Sequence, residues 1–151
     1  MAERPIFENV LNKFTLTWEG GYSNHPADKG GETFKGIIKT VYDAYRTSKN
    51  LPIQSVKLIS NQEISDIYFN NYWLVAGCDK LDDKFAEVVF DTAVNNGAGR
   101  AKKWLMLTKD YKEYMNIREN FYNKIVLNNP SQKVFLKGWM NRINALRKFV
   151  E

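Results

Sequence analysis

Between Trp18 and Ile37 the chain reads Trp-Glu-Gly-Gly-Tyr-Ser-Asn-His-Pro-Ala-Asp-Lys-Gly-Gly-Glu-Thr-Phe-Lys-Gly-Ile, which sets the carboxylates Glu19, Asp28 and Glu32 among glycines and small polar residues. Carboxyl groups so grouped suit general acid and base work. Glu19 falls where a helix should end, at the negative end of its dipole and directly after bulky Trp18. Both surroundings disfavour the ionised form and raise the pKa, as a general acid near neutral pH requires. By residue type alone, the same segment also reads as ordinary turns with a solvated glutamate.

The elements that must position these groups are legible on either side. Phe7, Val10, Leu11, Phe14 and Trp18 trace one face of an amphipathic helix running into the segment. Gly20 and Gly21 are expected to end it through a positive φ. Beyond them, Asn24, Pro26, Gly30 and Gly31 alternate with the β-type residues Tyr22, Thr33, Phe34 and Ile37, which predicts a small hairpin or ribbon. Such a ribbon overhangs a helical body and carries Asp28 and Thr33 toward the end that holds Glu19.

The remainder reads as helices. Val41, Tyr42 and Tyr45 suggest a short one ending near Asn50-Leu51-Pro52, and Ser60 to Glu63 is a capping box opening another that runs through Trp73. Leu81 to Asn96 is apolar around most of its circumference and should be a central buried helix, closed by Asn95, Asn96 and Gly97. The two amides can donate and accept, which suits a sugar hydroxyl or N-acetyl group. Trp73, with Tyr72, is either core or a stacking platform for a saccharide. Arg118 interrupts the apolar stripe of a long helix; it is expected to pair with an acid, snorkel outward, or reach Glu19 or the sugar. In the last helix Phe135, Trp139, Ile143, Leu146 and Val150 define a buried face. Ser131 is a candidate cap, and Lys133, Lys137, Arg142, Arg147 and Lys148 form a basic polar side.

The run from Trp18 to Ile37 resembles the signature of the glycoside hydrolase family 108 N-acetylmuramidases of the lysozyme-like superfamily. The likeness continues in Phe90-Asp91-Thr92-Ala93-Val94-Asn95-Asn96-Gly97-Ala98-Gly99-Arg100-Ala101. It resumes from Pro130 to Arg142, which is similar to the predicted peptidoglycan domain that follows the catalytic part in that family. The resemblance implies an α+β, mostly α fold, a lysozyme-like helical body with a small β-hairpin or ribbon flanking the active-site cleft. Residues 1–99 would be the catalytic region and 100–151 a C-terminal helical region packed on it. It further implies hydrolysis of the β-1,4 bond between N-acetylmuramic acid and N-acetylglucosamine, with Glu19 as the acid. Asp28 would orient water or stabilise the developing charge, Thr33 would help position that water, and Glu32 is the fallback carboxylate. Tyr22, Asn95, Asn96, Trp73 and Arg118 are the candidate substrate contacts. Ile38 departs from the pattern, because many relatives carry a hydroxyl residue there.

At 151 residues the chain has the length for one well-buried core. Its formal charge of +5 favours anionic partners without choosing among nucleic acid, lipid and cell wall. One histidine and one cysteine give no zinc-type ligand set, no intramolecular disulfide and no nucleophile with a base, so neither metal nor cofactor is expected. Cys78 reads as a buried small hydrophobe. A nucleic-acid binder would want a denser basic stripe and a recognition motif, and no apolar run is long enough for a membrane span. The partner that the resemblance implies is peptidoglycan, engaged by a monomer. The opening residues lack a signal-peptide pattern, which gives the expectation of a protein cytoplasmic as synthesised and acting on the wall after release or export. The alternative on the same fold is a non-catalytic wall-binding or secretion-associated protein.

Overall fold

The structure, a computed structural model, describes residues 1–24 and 31–151. Helix α1 (Arg4–Val10) passes through one π-helical stretch (Leu11–Thr15) into a final turn, α2 (Leu16–Trp18). Phe7, Val10, Leu11 and Phe14 are buried as the spacing predicts, whereas Trp18 is 39% exposed. The wide π turn breaks the 3.6-residue period on which the last position was extrapolated. The helix also ends differently from expectation. Gly20 and Gly21 do not enter the left-handed region; Glu19 itself leaves the helix, at φ −85° and ψ 140°.

Two short antiparallel strands follow, β1 (Thr33–Phe34) and β2 (Ile37–Ile38), with Thr33 opposite Ile38 and Phe34 opposite Ile37. The two residues between them, Lys35 and Gly36, both have positive φ, the pattern of a tight type I′ hairpin turn. On its other side Thr33 pairs with Ser23 through two backbone hydrogen bonds of 2.8 and 2.9 Å, so the ribbon gains a third rung.

Helix α3 (Lys39–Ser48) ends before Pro52, and Ser60 and Glu63 form the expected capping box on α4 (Asn61–Tyr68), which continues as a π-helical stretch to Trp73. Helix α5 (Asp83–Asn96) is the central element: Phe85, Ala86, Val88, Val89, Phe90 and Ala93 are all buried. Around it lie α6 (Ala98–Trp104), α7 (Tyr111–Asn128) and α8 (Lys133–Phe149). The chain is thus mostly α with a small antiparallel ribbon.

Two details of α8 correct the expectations. Ser131 does not cap it: its hydroxyl donates to Asn129 Oδ1, and no side chain satisfies the first turn. Of the proposed buried face, Ile143, Leu146 and Val150 are buried and Trp139 packs partly buried against the core, while Phe135, in the first turn of α8, is 53% exposed and stacks on Trp139. Cys78 is buried as expected, and burial pushes its thiol pKa up.

Candidate active site

Glu19 occupies the first extended position after α2, and its carboxyl turns inward, with 21% of the side chain exposed. The hairpin turn closes over it. A Cβ on Gly36 would meet the Tyr68 hydroxyl and lie 3.2 Å from Glu19 Cγ and 3.3 Å from its Cδ, so only glycine fits there, for room and for its φ of +78°. Tyr68, itself buried, donates to the Lys35 carbonyl at 2.6 Å and fixes the turn in that place.

From the other side comes Arg142 of α8, whose Nη1 and Nη2 each stand 3.4 Å from Glu19 Oε1. The same guanidinium grips Asp91 of α5 with two bonds, Nη2 to Oδ1 at 2.8 Å and Nε to Oδ2 at 3.1 Å. Asp91 is fully buried and also accepts from Thr15 Oγ1 at 2.9 Å and from Arg118 Nη1 at 3.0 Å. Helices α5, α7, α8 and the π turn before Glu19 therefore meet at one carboxylate.

The electrostatics differ sharply between the two acids. Burial alone would raise the Asp91 pKa, but Arg118 and Arg142 outweigh it and hold the carboxyl below its ordinary value. At Glu19 burial dominates: Arg142 offsets it in part, nearby Asp91 adds to it, and the pKa is raised above the ordinary carboxylate value. Both Arg142 contacts to Glu19, at 3.4 Å, are longer than either bond to Asp91, so the guanidinium is committed to Asp91 first. Glu19 is thus a partly exposed carboxyl biased toward its protonated form and held in one direction.

The other predicted residues divide into those at this centre and those away from it. Asn95 is at it: its Oδ1 lies 3.5 Å from Arg142 Nη1, and its amide nitrogen donates to the Tyr122 hydroxyl, as does that of Asn96 at 2.9 Å. Tyr122 in turn stacks on Trp139 at 4.8 Å and an interplanar angle of 18°. Asp28 lies outside the described residues. Thr33 is half-buried in the ribbon, where its backbone pairs with Ser23 and Ile38. Tyr22 is exposed and donates to Glu32 at 2.7 Å, with the Lys57 ammonium 4.3 Å over its ring. Glu32 is engaged elsewhere, accepting also from Ser55 Oγ and the Val56 amide; the Tyr22 bond leads in lowering its pKa, so it sits ionised as an anchor of the ribbon.

Two predicted substrate contacts are corrected. Trp73 is 1% exposed and packs between Phe7 and Phe90 in the core, so its rings offer no face to a sugar. Its neighbour Tyr72 is the half-buried residue that senses the Glu19 charge: burial first, then Glu19, raises its hydroxyl pKa. Arg118 is completely buried and pairs with Asp91 and Thr92, which leaves it no path to Glu19 or to a ligand. Sequence reasoning missed Arg142, assigned to the solvated basic side of its helix although it is 6% exposed, and Asp91, whose signal was a lone acid inside an apolar run.

A family model described as glycosyl hydrolase 108 matches residues 12–97, more than half of the chain and including Glu19, the ribbon and Asp91. The chain belongs to the glycosyl hydrolase 108 family. Among solved structures, one described as the structure of Brucella abortus SagA has a TM-score of 0.73 and 23% identity, over 98% of this chain and 95% of that one. At that identity the likeness speaks for the fold, which is α+β, mostly α and lysozyme-like. No curated protein matches the chain.

Proposed function

We propose that this glycosyl hydrolase 108 member is an N-acetylmuramidase that cleaves the β-1,4 bond between N-acetylmuramic acid and N-acetylglucosamine in peptidoglycan. The observation that carries the reading is Glu19: a partly exposed carboxyl, raised in pKa by burial and steered by Arg142, within the family-matched segment. In this reading the protonated Glu19 gives its proton to the glycosidic oxygen as the C1–O bond breaks. Positive charge develops at the sugar ring, and water completes the hydrolysis by adding its oxygen to C1 and releasing one proton. Asp28 is the carboxylate proposed to stabilise that charge or orient the water, and Thr33 a hydroxyl proposed to help hold it. Asn95, beside Arg142, offers an amide to the substrate, and exposed Tyr22 a ring at the rim of the ribbon. Action on the wall after release or export is part of the same proposal.

The test is digestion of purified peptidoglycan by the intact protein and by Glu19→Gln, followed by mass spectrometry of reduced products. New muramic acid reducing ends from the first and none from the second are expected. New glucosamine ends would overturn the bond assignment. Binding to peptidoglycan without cleavage by either protein would favour the wall-binding alternative.

A further inference from the structure

Two turns far apart in sequence present apolar side chains at one surface hollow. The first, 74–77, follows the π-helical end of α4 and carries Leu74 and Val75, 41% and 50% exposed; the second, 105–107, follows α6 and carries Met106 and Leu107, 87% and 64% exposed. Leu74 and Met106 line the same hollow of about 600 Å³, with Ala76, Leu81 and Leu105 below them. Lys80, Lys102 and Lys103 stand around it, all exposed, and among the described residues none of the three is in an ion pair. No helix among the described residues is long and apolar enough to cross a membrane.

We propose that this face docks on an anionic lipid surface, with the two turns dipping into the interfacial layer and the three lysines engaging phosphate headgroups. Met106 projects at the edge of the hollow and Val75 and Leu107 lie outside it, all at least half exposed, and projecting apolar tips beside the three lysines match a headgroup layer over hydrocarbon. A soluble anionic polymer would satisfy the lysines and leave the four apolar side chains in water. An acidic amphipathic protein segment seated in the hollow would leave Val75 and Leu107, which do not line it, in water. The lysines supply the selectivity for charge, and the tips supply the burial that charge alone does not. The inference does not depend on the muramidase reading, since it uses none of the residues around Glu19.

The test is flotation of the intact protein with vesicles of pure phosphatidylcholine and of phosphatidylcholine with an equal share of phosphatidylglycerol. Tighter binding to the anionic vesicles by about a hundredfold is expected from three interfacial lysines, weakening as salt rises. Lys102→Glu with Lys103→Glu should remove that preference, and Met106→Asp should weaken binding at least about tenfold, with circular dichroism unchanged because all three side chains are exposed. In a Met106→Trp variant the added fluorophore should shift to the blue on anionic vesicles. Equal binding to both vesicle types, binding insensitive to these substitutions, or no fluorescence shift would each overturn the proposal, as would capture of an acidic peptide by this face with no vesicle binding.

Discussion

Arg142 holds Glu19 Oε1 with both terminal nitrogens at 3.4 Å while its shorter bonds, 2.8 and 3.1 Å, go to Asp91. The guanidinium is therefore a strut: one end is fixed in the buried cluster and the other steers the candidate acid. It also moderates that acid, because it is the main influence opposing the effect of burial on Glu19.

Replacing Arg142 by Gln separates steering from folding. The residue lowers the Glu19 pKa, so its loss should raise that pKa further and move the basic limb of kcat/KM, which follows the protonated acid, to higher pH. A purely structural role for Arg142 would lower kcat/KM without moving the limb. The variant also strips Asp91 of one of its two cations; removing a partner from a buried pair costs about 3–5 kcal/mol, so activity should be read at low temperature on the folded fraction.

Gly36→Ala should damage the site from the ribbon side. The new Cβ would collide with the Tyr68 hydroxyl and crowd the Glu19 side chain, and an L-residue at φ +78° adds about 1–2 kcal/mol of strain. We expect a loss of kcat well beyond tenfold together with a lowered Tm, whereas alanine at Gly138, where a Cβ meets nothing, should leave both near wild type. Equal behaviour of the two variants would show that the hairpin does not press on Glu19.

The helices and the place of Glu19 at a helix end were legible because their signals are local. The capping box at Ser60, the apolar run of α5 and the glutamate before a glycine pair each sit within a few residues of the chain. What was not legible depends on register and on distance in sequence. Trp73 and Tyr72 differ by one position, about 100° around a helix, and the sequence does not say which of the two faces inward. The π turns before Glu19 and Trp73 add to that uncertainty, since each slips the periodicity by a residue. Arg142 looked like one more cation on a basic helix face; only folding brings it to Asp91, a partner 51 residues away.

Trp73→Ala tests the core assignment against the stacking one. With its rings among Phe7 and Phe90, truncation should destabilise by about 3–5 kcal/mol and leave KM of the remaining folded enzyme little changed. Tyr22→Ala, at an exposed ring, should do the reverse: a small change in Tm and a several-fold rise in KM if the ribbon rim meets the glycan. A selective KM effect at Trp73 would contradict its burial.

The raised pKa of Glu19 also fixes how its charge affects stability. Because the folded protein holds this proton more tightly than the unfolded chain, the contribution is fully present below the unfolded value, near 4.5, and is lost as pH rises through the folded value. Glu19→Gln carries a permanent neutral group in place of the penalised carboxylate. The difference in Tm between variant and wild type should therefore be smallest at acid pH and should grow in favour of the variant as pH climbs above 4.5. Burial, and then the neighbouring Asp83, raises Glu87 on α5 to about 7, so pH melts of the wild type alone contain a second contribution of the same sign. That term is common to both proteins and cancels in the difference. A difference that shrinks with rising pH would mean that ionised Glu19 is stabilised by Arg142 more than burial penalises it, and the carboxyl would then be a poor proton donor near neutrality.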